Sequence, residues 1–167
     1  MTVNDADSPP PADALNPVIH LVLVQPKMAA NIAAIVRLGT GMNAAVHVCG
    51  PLIFEKTDKT RWRAALDYWA GARVHFHESL ENCLSLLDGD PWLVEIGGKK
   101  TLWDAAFKRG DIVLFGPEDG HLPQGLMDAA PDRILTLPQP GPVRSLNLAQ
   151  CVAVTTFEAY RQVVFSS

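Results

Sequence analysis

Short runs of apolar residues alternate along this chain with segments whose apolar residues recur at helical spacing. The runs predicted as strands are residues 18–24, 45–49, 72–76, 92–96, 111–115 and 133–137. The predicted helices between and after them are residues 31–42, 59–70, 79–87, 102–108, 123–129 and 145–163. Strands that are apolar throughout are typical of a parallel sheet buried on both sides. The alternation therefore predicts an α/β domain with a parallel sheet and helices on both faces.

Length and composition favour one packed domain. Of the 167 residues, 48% are hydrophobic and 19% are charged, which is enough apolar material for a core. Residues 1–16 are polar, acidic and rich in proline, so we predict a flexible tail there and a single domain over 17–167. The chain has no secretory signal pattern, and no run approaches the roughly 20 apolar residues of a membrane helix. We expect a soluble, cytoplasmic protein.

The usual cofactor and metal motifs do not occur in the sequence. No G-x-G-x-x-G follows the first predicted strand, and the chain has no P-loop. Cys49, Cys83 and Cys151 are widely spaced in apolar surroundings, which favours free buried thiols over metal or disulfide roles. His75 and His77 have no obvious third ligand, so a structural or surface role is favoured over metal binding. We therefore expect no metal.

The charge of the chain gives a mixed indication about nucleic acid. A net charge of −4 argues against a broad phosphate-binding surface. Local basic patches nevertheless occur, and an ordinary solvated face remains an alternative for each. Their members are Lys56, Lys59, Arg61 and Arg63, then Lys99 and Lys100, and then Lys108 and Arg109.

Three polar segments, 31–37, 115–123 and 137–149, follow predicted strands. Each has an ordinary structural interpretation, because Asn31, Ser145 or Asn147 could cap a helix and Gly116 could mark a turn. In a parallel α/β sheet, however, ligands bind beyond the carboxyl ends of the strands. Three such segments at one end of a sheet indicate a single ligand site.

These segments resemble the three sequence motifs of the SPOUT methyltransferases, TrmH-like branch. The likeness is greatest to the small tRNA (cytidine/uridine) 2′-O-methyltransferases of the TrmL or YibK type, which modify the wobble ribose. It extends from Val18 to Gln162 and is most specific at residues 144–149. The resemblance implies a SPOUT fold with a deep trefoil knot in its C-terminal part, a homodimer, and transfer of a methyl group from S-adenosylmethionine to RNA.

The resemblance also implies which residues form the site. Those expected to line the cofactor pocket are Ile96, Gly116, Leu137, Ser145 and Leu146. Those expected to serve catalysis are Arg37, Asn31, Ser145 and Asn147. Those expected to contact RNA are Arg144, Lys99, Arg61 and Arg63. Because arginine stays protonated, we expect Arg37 to orient the ribose hydroxyl and stabilise developing negative charge, while a phosphate or water takes the proton.

Several alternatives remain open at this point. The chain departs from the family pattern at Ala33, Ala34, His121 and Phe157. The same chemistry on another RNA, a catalytically silent knotted dimer that binds RNA or cofactor, and an unrelated nucleotide-binding α/β protein are the competing hypotheses. The final helix is either a dimer face or packs within its own subunit, and its apolar residues are Val152, Val154, Phe157 and Tyr160.

Overall fold

The structure, a computed structural model, describes residues 16–53 and 71–165. Its seven strands form one sheet in the order β3-β2-β1-β6-β4-β7-β5, and every pairing among them is parallel. The strands are β1 (Ile19–Val24), β2 (Ala45–Cys49), β3 (Val74–His77), β4 (Trp92–Val94), β5 (Lys100–Thr101), β6 (Asp111–Phe115) and β7 (Ile134–Thr136). The predicted parallel sheet is confirmed.

Helices cover both faces of this sheet, as the sequence predicts. They are α1 (Ala29–Gly41), α2 (Leu80–Leu84), α3 (Gln124–Ala129) and α4 (Leu148–Phe165). On one face, Ile32 and Ile35 of α1 pack with Val152 of α4 in a continuous apolar core. On the other face, Leu80 of α2 and Leu126 of α3 pack in a second core. No helix within the described ranges is both long and apolar enough to cross a bilayer.

Several predicted boundaries are wrong, and local side chains explain two of them. The fourth strand ends at Val94 rather than at residue 96, because the Glu95 carboxylate accepts the Ile96 backbone N–H that a longer strand would use. The helix predicted at 102–108 is a single 3₁₀ turn, Leu102–Asp104, preceded by β5, which was not predicted. Asp104 closes this turn by accepting the Thr101 backbone N–H at 2.7 Å.

The remaining differences concern element ends. The third strand is shifted to Val74–His77, the helix predicted at 79–87 is confined to Leu80–Leu84, and the last helix begins at Leu148. The predicted helix at 59–70 and residues 1–15 of the predicted tail lie outside the described residues.

Candidate functional site

A cavity of about 400 Å³ opens at the carboxyl ends of β4, β6 and β7. Its wall is built from the loop after β4, the turn after β6 and the segment between β7 and α4. Its lining residues include Ile96, Gly116, Glu118, Leu137, Arg144, Ser145 and Leu146. Two of the three segments that the sequence assigns to one ligand site, 115–123 and 137–149, therefore line one cavity, whereas no residue of the third segment, 31–37, is among its lining residues.

All five residues predicted to bind a cofactor lie on this wall, namely Ile96, Gly116, Leu137, Ser145 and Leu146. Ile96 is 56% exposed and Leu146 36% exposed, which is unusual for large apolar side chains grouped at a cavity. Together with Leu137 they offer an apolar surface that a bound ligand would remove from water. Their role in cofactor binding stays a prediction.

The turn after β6 folds back so closely that residue 116 has to be small. A Cβ added at Gly116 would lie 3.1 Å from the Leu122 backbone nitrogen and 3.2 Å from the His121 carbonyl carbon. Glu95 holds the returning part of the turn, because its carboxylate accepts the Leu122 N–H at 3.0 Å and contacts His121 Nδ1 at 3.1 Å. His121, a departure from the family pattern, thus takes part in fixing the cavity wall.

Thr136, at the end of β7, fixes the loop that carries Ile96. Its hydroxyl donates to the Glu95 carbonyl oxygen at 2.7 Å and accepts the Gly98 N–H at 3.2 Å. Sequence reasoning missed both Glu95 and Thr136. The available signal was their position, since each lies one residue before the carboxyl end of a predicted strand.

Glu118 connects the turn after β6 to the beginning of α1. Its carboxylate accepts the backbone N–H groups of Lys27 and Met28, at 2.7 and 3.1 Å, and the Asn31 side-chain amide at 2.9 Å. Burial raises the pKa of Glu118, but these hydrogen bonds outweigh it, so the pKa lies below the ordinary glutamate value. The side chain is therefore an anion at neutral pH, placed where a helix N-terminus favours negative charge.

Asn31 and Asn147 extend this connection to α4. The Asn147 amide donates to Asn31 Oδ1 at 3.0 Å, and Asn147 Oδ1 accepts the Ala149 backbone N–H at 2.9 Å. Asn147 is thus the cap of α4 as well as a partner of Asn31. Asn31 is not a cap, because α1 begins at Ala29, and it is buried in the first turn at 6% exposure. The three motif segments are thus joined to one another by hydrogen bonds among Glu118, Asn31 and Asn147.

The basic residues predicted for the site are distributed differently. Arg144 lines the cavity and is exposed. Arg37 lies on the exposed side of α1, outside the set of cavity-lining residues, and Lys99 is exposed on the loop after β4. Arg61 and Arg63 lie outside the described residues. Within one chain Ser145 therefore lines the cavity, and Asn31 and Asn147 are connected to its wall through Glu118, whereas Arg37 is not among the lining residues.

Comparison with known proteins identifies the family to which this chain belongs. The sequence model of the SpoU rRNA methylase family matches residues 18–157. A tRNA (cytidine(34)-2'-O)-methyltransferase from Methylovorus glucosotrophus is 36% identical over 148 residues, which cover 87% of this chain and 96% of that protein. One from Acidovorax sp. is 35% identical over 150 residues, covering 87% and 93% of the two chains.

A solved structure points in the same direction. It is described as giving structural insights into the 2-OH methylation of C/U34 on tRNA. It shares 37% sequence identity with this chain at a TM-score of 0.74, over 86% of this chain and 95% of the other. The match of motifs, sheet and nearly full length leads to one conclusion: this chain belongs to the SpoU methylase family.

Proposed function

We propose that this protein transfers a methyl group from S-adenosylmethionine to the ribose 2′-hydroxyl of the wobble nucleotide, cytidine or uridine 34, of tRNA. The observation that carries the proposal is the linkage Glu118–Asn31–Asn147, which joins the three family segments to one another beside a cavity that two of them line. The relatives that are 35–37% identical over most of the chain act, by their descriptions, on this position of tRNA. A tRNA substrate also supports a cytoplasmic location.

The cavity suits S-adenosylmethionine in size and in chemistry. Its volume of about 400 Å³ is within the range of small-molecule sites. Ile96, Leu137 and Leu146 would cover apolar parts of the cofactor, and Gly116 would allow close approach of the backbone. When bound, this cofactor supplies a methyl group on a positively charged sulfur, which is already reactive toward an oxygen nucleophile.

The task left to the protein is to hold the ribose hydroxyl in line with the methyl group and to assist loss of its proton. We assign to Arg37 the orientation of the hydroxyl and the stabilisation of the negative charge that develops on its oxygen. We assign phosphate contacts to Arg144, which lines the cavity, and to Lys99, which is exposed nearby. Ser145 would touch the cofactor or the ribose.

The position of Arg37 supports a homodimer whose sites are shared between subunits. Arg37 lies on an exposed stripe of α1 with Ala30, Ala34 and Gly41, and these small residues would let a second chain approach closely. On α4, which packs beside α1, Phe157 is 58% exposed. Packed against a second copy, this surface would present Arg37 to the partner's cavity.

We also propose that the segment between β7 and α4 forms part of the deep trefoil knot that the family resemblance implies. In support, this segment lines the cavity on its way from the sheet, and Asn147 at its end is bonded to Asn31 in α1. The polar residues of the segment therefore enclose the site rather than simply connect two elements.

The direct test is methyl transfer to unmodified tRNA with an isotopically labelled donor, followed by nucleoside mapping. We expect label on the 2′-oxygen of nucleotide 34. The Arg37→Ala variant is expected to retain its fold and donor binding but to lose methylation, because the substitution removes only the side chain that orients the ribose 2′-hydroxyl. Label at another nucleotide would reject the wobble position, and donor binding without transfer in the wild type would reject the enzymatic proposal.

A further inference from the structure

A second group of reactive side chains lies far from the cavity, at the β3-β2-β1 end of the sheet. In the parallel register, Val22 of β1 pairs with His47 of β2, which pairs with His75 of β3, and Cys49 pairs with His77. Side chains at alternate positions point to the same face of a sheet. One face consequently carries His20, His47, His75 and His77 together with Cys49, and Cys83 of α2 lies in the core that covers this face.

The imidazole rings in this group are in direct contact. His47 Nε2 is 3.0 Å from His20 Nδ1, and His47 Nδ1 is 3.0 Å from His77 Nε2. The His47 and His77 rings stack with their centroids 5.2 Å apart. His47 is only 4% exposed, whereas His77 is partly exposed, so the group reaches from the core to solvent.

A thiol completes the group. Among the described residues, His47, His77 and Cys83 each offer one potential ligand atom, and these atoms all lie within 4.8 Å of one another. We propose that His47, His77 and Cys83 bind a divalent transition metal ion of the Zn²⁺ type, with a fourth coordination position open to solvent. Two imidazoles and one thiolate are ligands that zinc prefers, and three protein ligands leave a position for water.

The distances between the three potential ligand atoms are close to those in a zinc site, and small side-chain movements would make up the difference. Two nitrogen ligands on a tetrahedral zinc lie about 3.3 Å apart, close to the 3.0 Å between His47 Nδ1 and His77 Nε2. The ion would lie between these nitrogens in place of their hydrogen bond, with the ring proton of His77 held on Nδ1 and the proton of the Cys83 thiol released to solvent. Approach of Cys83 would require side-chain movements of about 1 Å to reach normal zinc–sulfur geometry.

The surroundings also supply the outer hydrogen bonds that metal ligands need. A ligating histidine usually donates its other ring N–H to a partner that fixes the ring. His20 Nδ1 is placed to accept from His47 Nε2, and the Asn82 side chain hydrogen-bonds to His77. A hydrogen bond from Cys49 lowers the pKa of Cys83, which favours the thiolate form that binds metals.

The surroundings of His47 disfavour a positive charge on its ring. The side chain is only 4% exposed, and its ring lies against those of His20, His75 and His77. A ligating imidazole must be neutral, so these surroundings suit the form that binds a metal ion. The proposal departs from the expectation from sequence that this chain binds no metal. The proposed ligands come from three separate segments, and only the fold brings them together.

The test uses full-length, tag-free protein, kept reduced and freed of metal with a chelator. Titration with Co²⁺ is expected to reach one ion per chain and to produce a thiolate-to-cobalt charge-transfer absorption band, which Zn²⁺ then displaces. Cys83→Ala should abolish this band, and Cys83→Ala and His77→Gln should each weaken zinc binding by at least about tenfold. His77 is partly exposed, so its variant tests the site even if the Cys83 variant folds poorly.

Matched controls separate a built site from general affinity for histidine and thiol groups. His75 lies on the same strand but outside the three-residue group, and Cys151 lies on α4. His75→Ala and Cys151→Ser are expected to retain the absorption band and the zinc affinity. The proposal is wrong if the reduced wild type shows no saturable binding at one ion per chain. It is also wrong if the His75 and His77 variants lose affinity equally.

Discussion

At the scale of single residues, the ionised carboxylate of Glu118 determines the direction of a chain of hydrogen bonds. A carboxylate can only accept, so Asn31 must present its Nδ2 group to Glu118 and its Oδ1 to Asn147. Asn147 must then donate with Nδ2, which leaves its own Oδ1 free to accept from the start of α4. One charge thus orients two side-chain amides that hold the site together.

This role gives a prediction about acid stability. The pKa of Glu118 is lowered in the folded state, so its stabilising contribution is complete above pH 4.5, the ordinary glutamate value. The contribution is lost as the pH falls through the lowered folded value. We expect Glu118→Gln to unfold more easily than the wild type at neutral pH, with a difference that shrinks in acid. Urea unfolding from neutral pH to about pH 3 measures this difference. A gap that does not change with pH would contradict it.

The two functions of Asn147 can be separated by substitution. Asn147→Asp retains the cap of α4, because aspartate is an equally good cap, but it cannot donate to Asn31. Asn147→Ala removes both interactions and should cost about 1 kcal/mol in unfolding free energy from the lost cap. We expect both variants to have a higher KM for the methyl donor, and only the alanine variant to lose cap stability. Urea unfolding and the KM for the methyl donor, measured on the same samples, distinguish the two effects.

A control for this pair is Gln150→Ala in the exposed first turn of α4, which should leave both the stability and the KM close to those of the wild type. If Asn147→Asp retained the wild-type KM for the methyl donor, the Asn31–Asn147 hydrogen bond would have no part in shaping the cavity.

At the scale of elements, the sequence predicts most strongly what depends on long apolar patterns. Strands β1, β2 and β6 could be predicted because most of their residues are apolar and nearly all are buried. The end of β4 could not, since the Glu95 side chain replaces strand hydrogen bonds with contacts to the turn after β6. The short β5 lacks an apolar run altogether, and only its pairing with β7 defines it.

The candidate site shows the same division. Its segments could be recognised from local motifs and from the rule that loops after parallel strands meet at one edge. The partners of Asn31 could not, because Glu118 is 87 and Asn147 is 116 positions away in the chain. The histidine and cysteine group was missed for the same reason. Cys49 and Cys83 are widely spaced in sequence but hydrogen-bonded in the fold.

At the scale of the whole molecule, α4 has two different sides. Val152 and Ala159 are fully buried against the core of the same chain, whereas Val154 is 44% exposed and Phe157 58% exposed. The interpretation that this helix packs within its own subunit therefore holds for one side, and the dimer face stays a prediction for the other. The exposed apolar side continues onto α1, where Arg37 lies, so the proposed dimer would cover apolar surface and complete two sites together.

Mixed dimers provide a decisive test of shared sites. Arg37→Ala removes the arginine, and Ser145→Trp places a large ring in the cavity, so each variant alone is expected to be inactive. If Arg37 acts in the partner's cavity, a mixed dimer has one intact site, made of the unmodified cavity of one chain and the arginine of the other. Random mixing in equal amounts should then restore about a quarter of wild-type activity, because half of the dimers are mixed and each has one working site of two. If Arg37 acts within its own chain, no combination restores activity. Differently tagged subunits, purified in tandem and assayed for methylation of tRNA, isolate the mixed species, and donor binding by Arg37→Ala alone verifies that its cavity is intact.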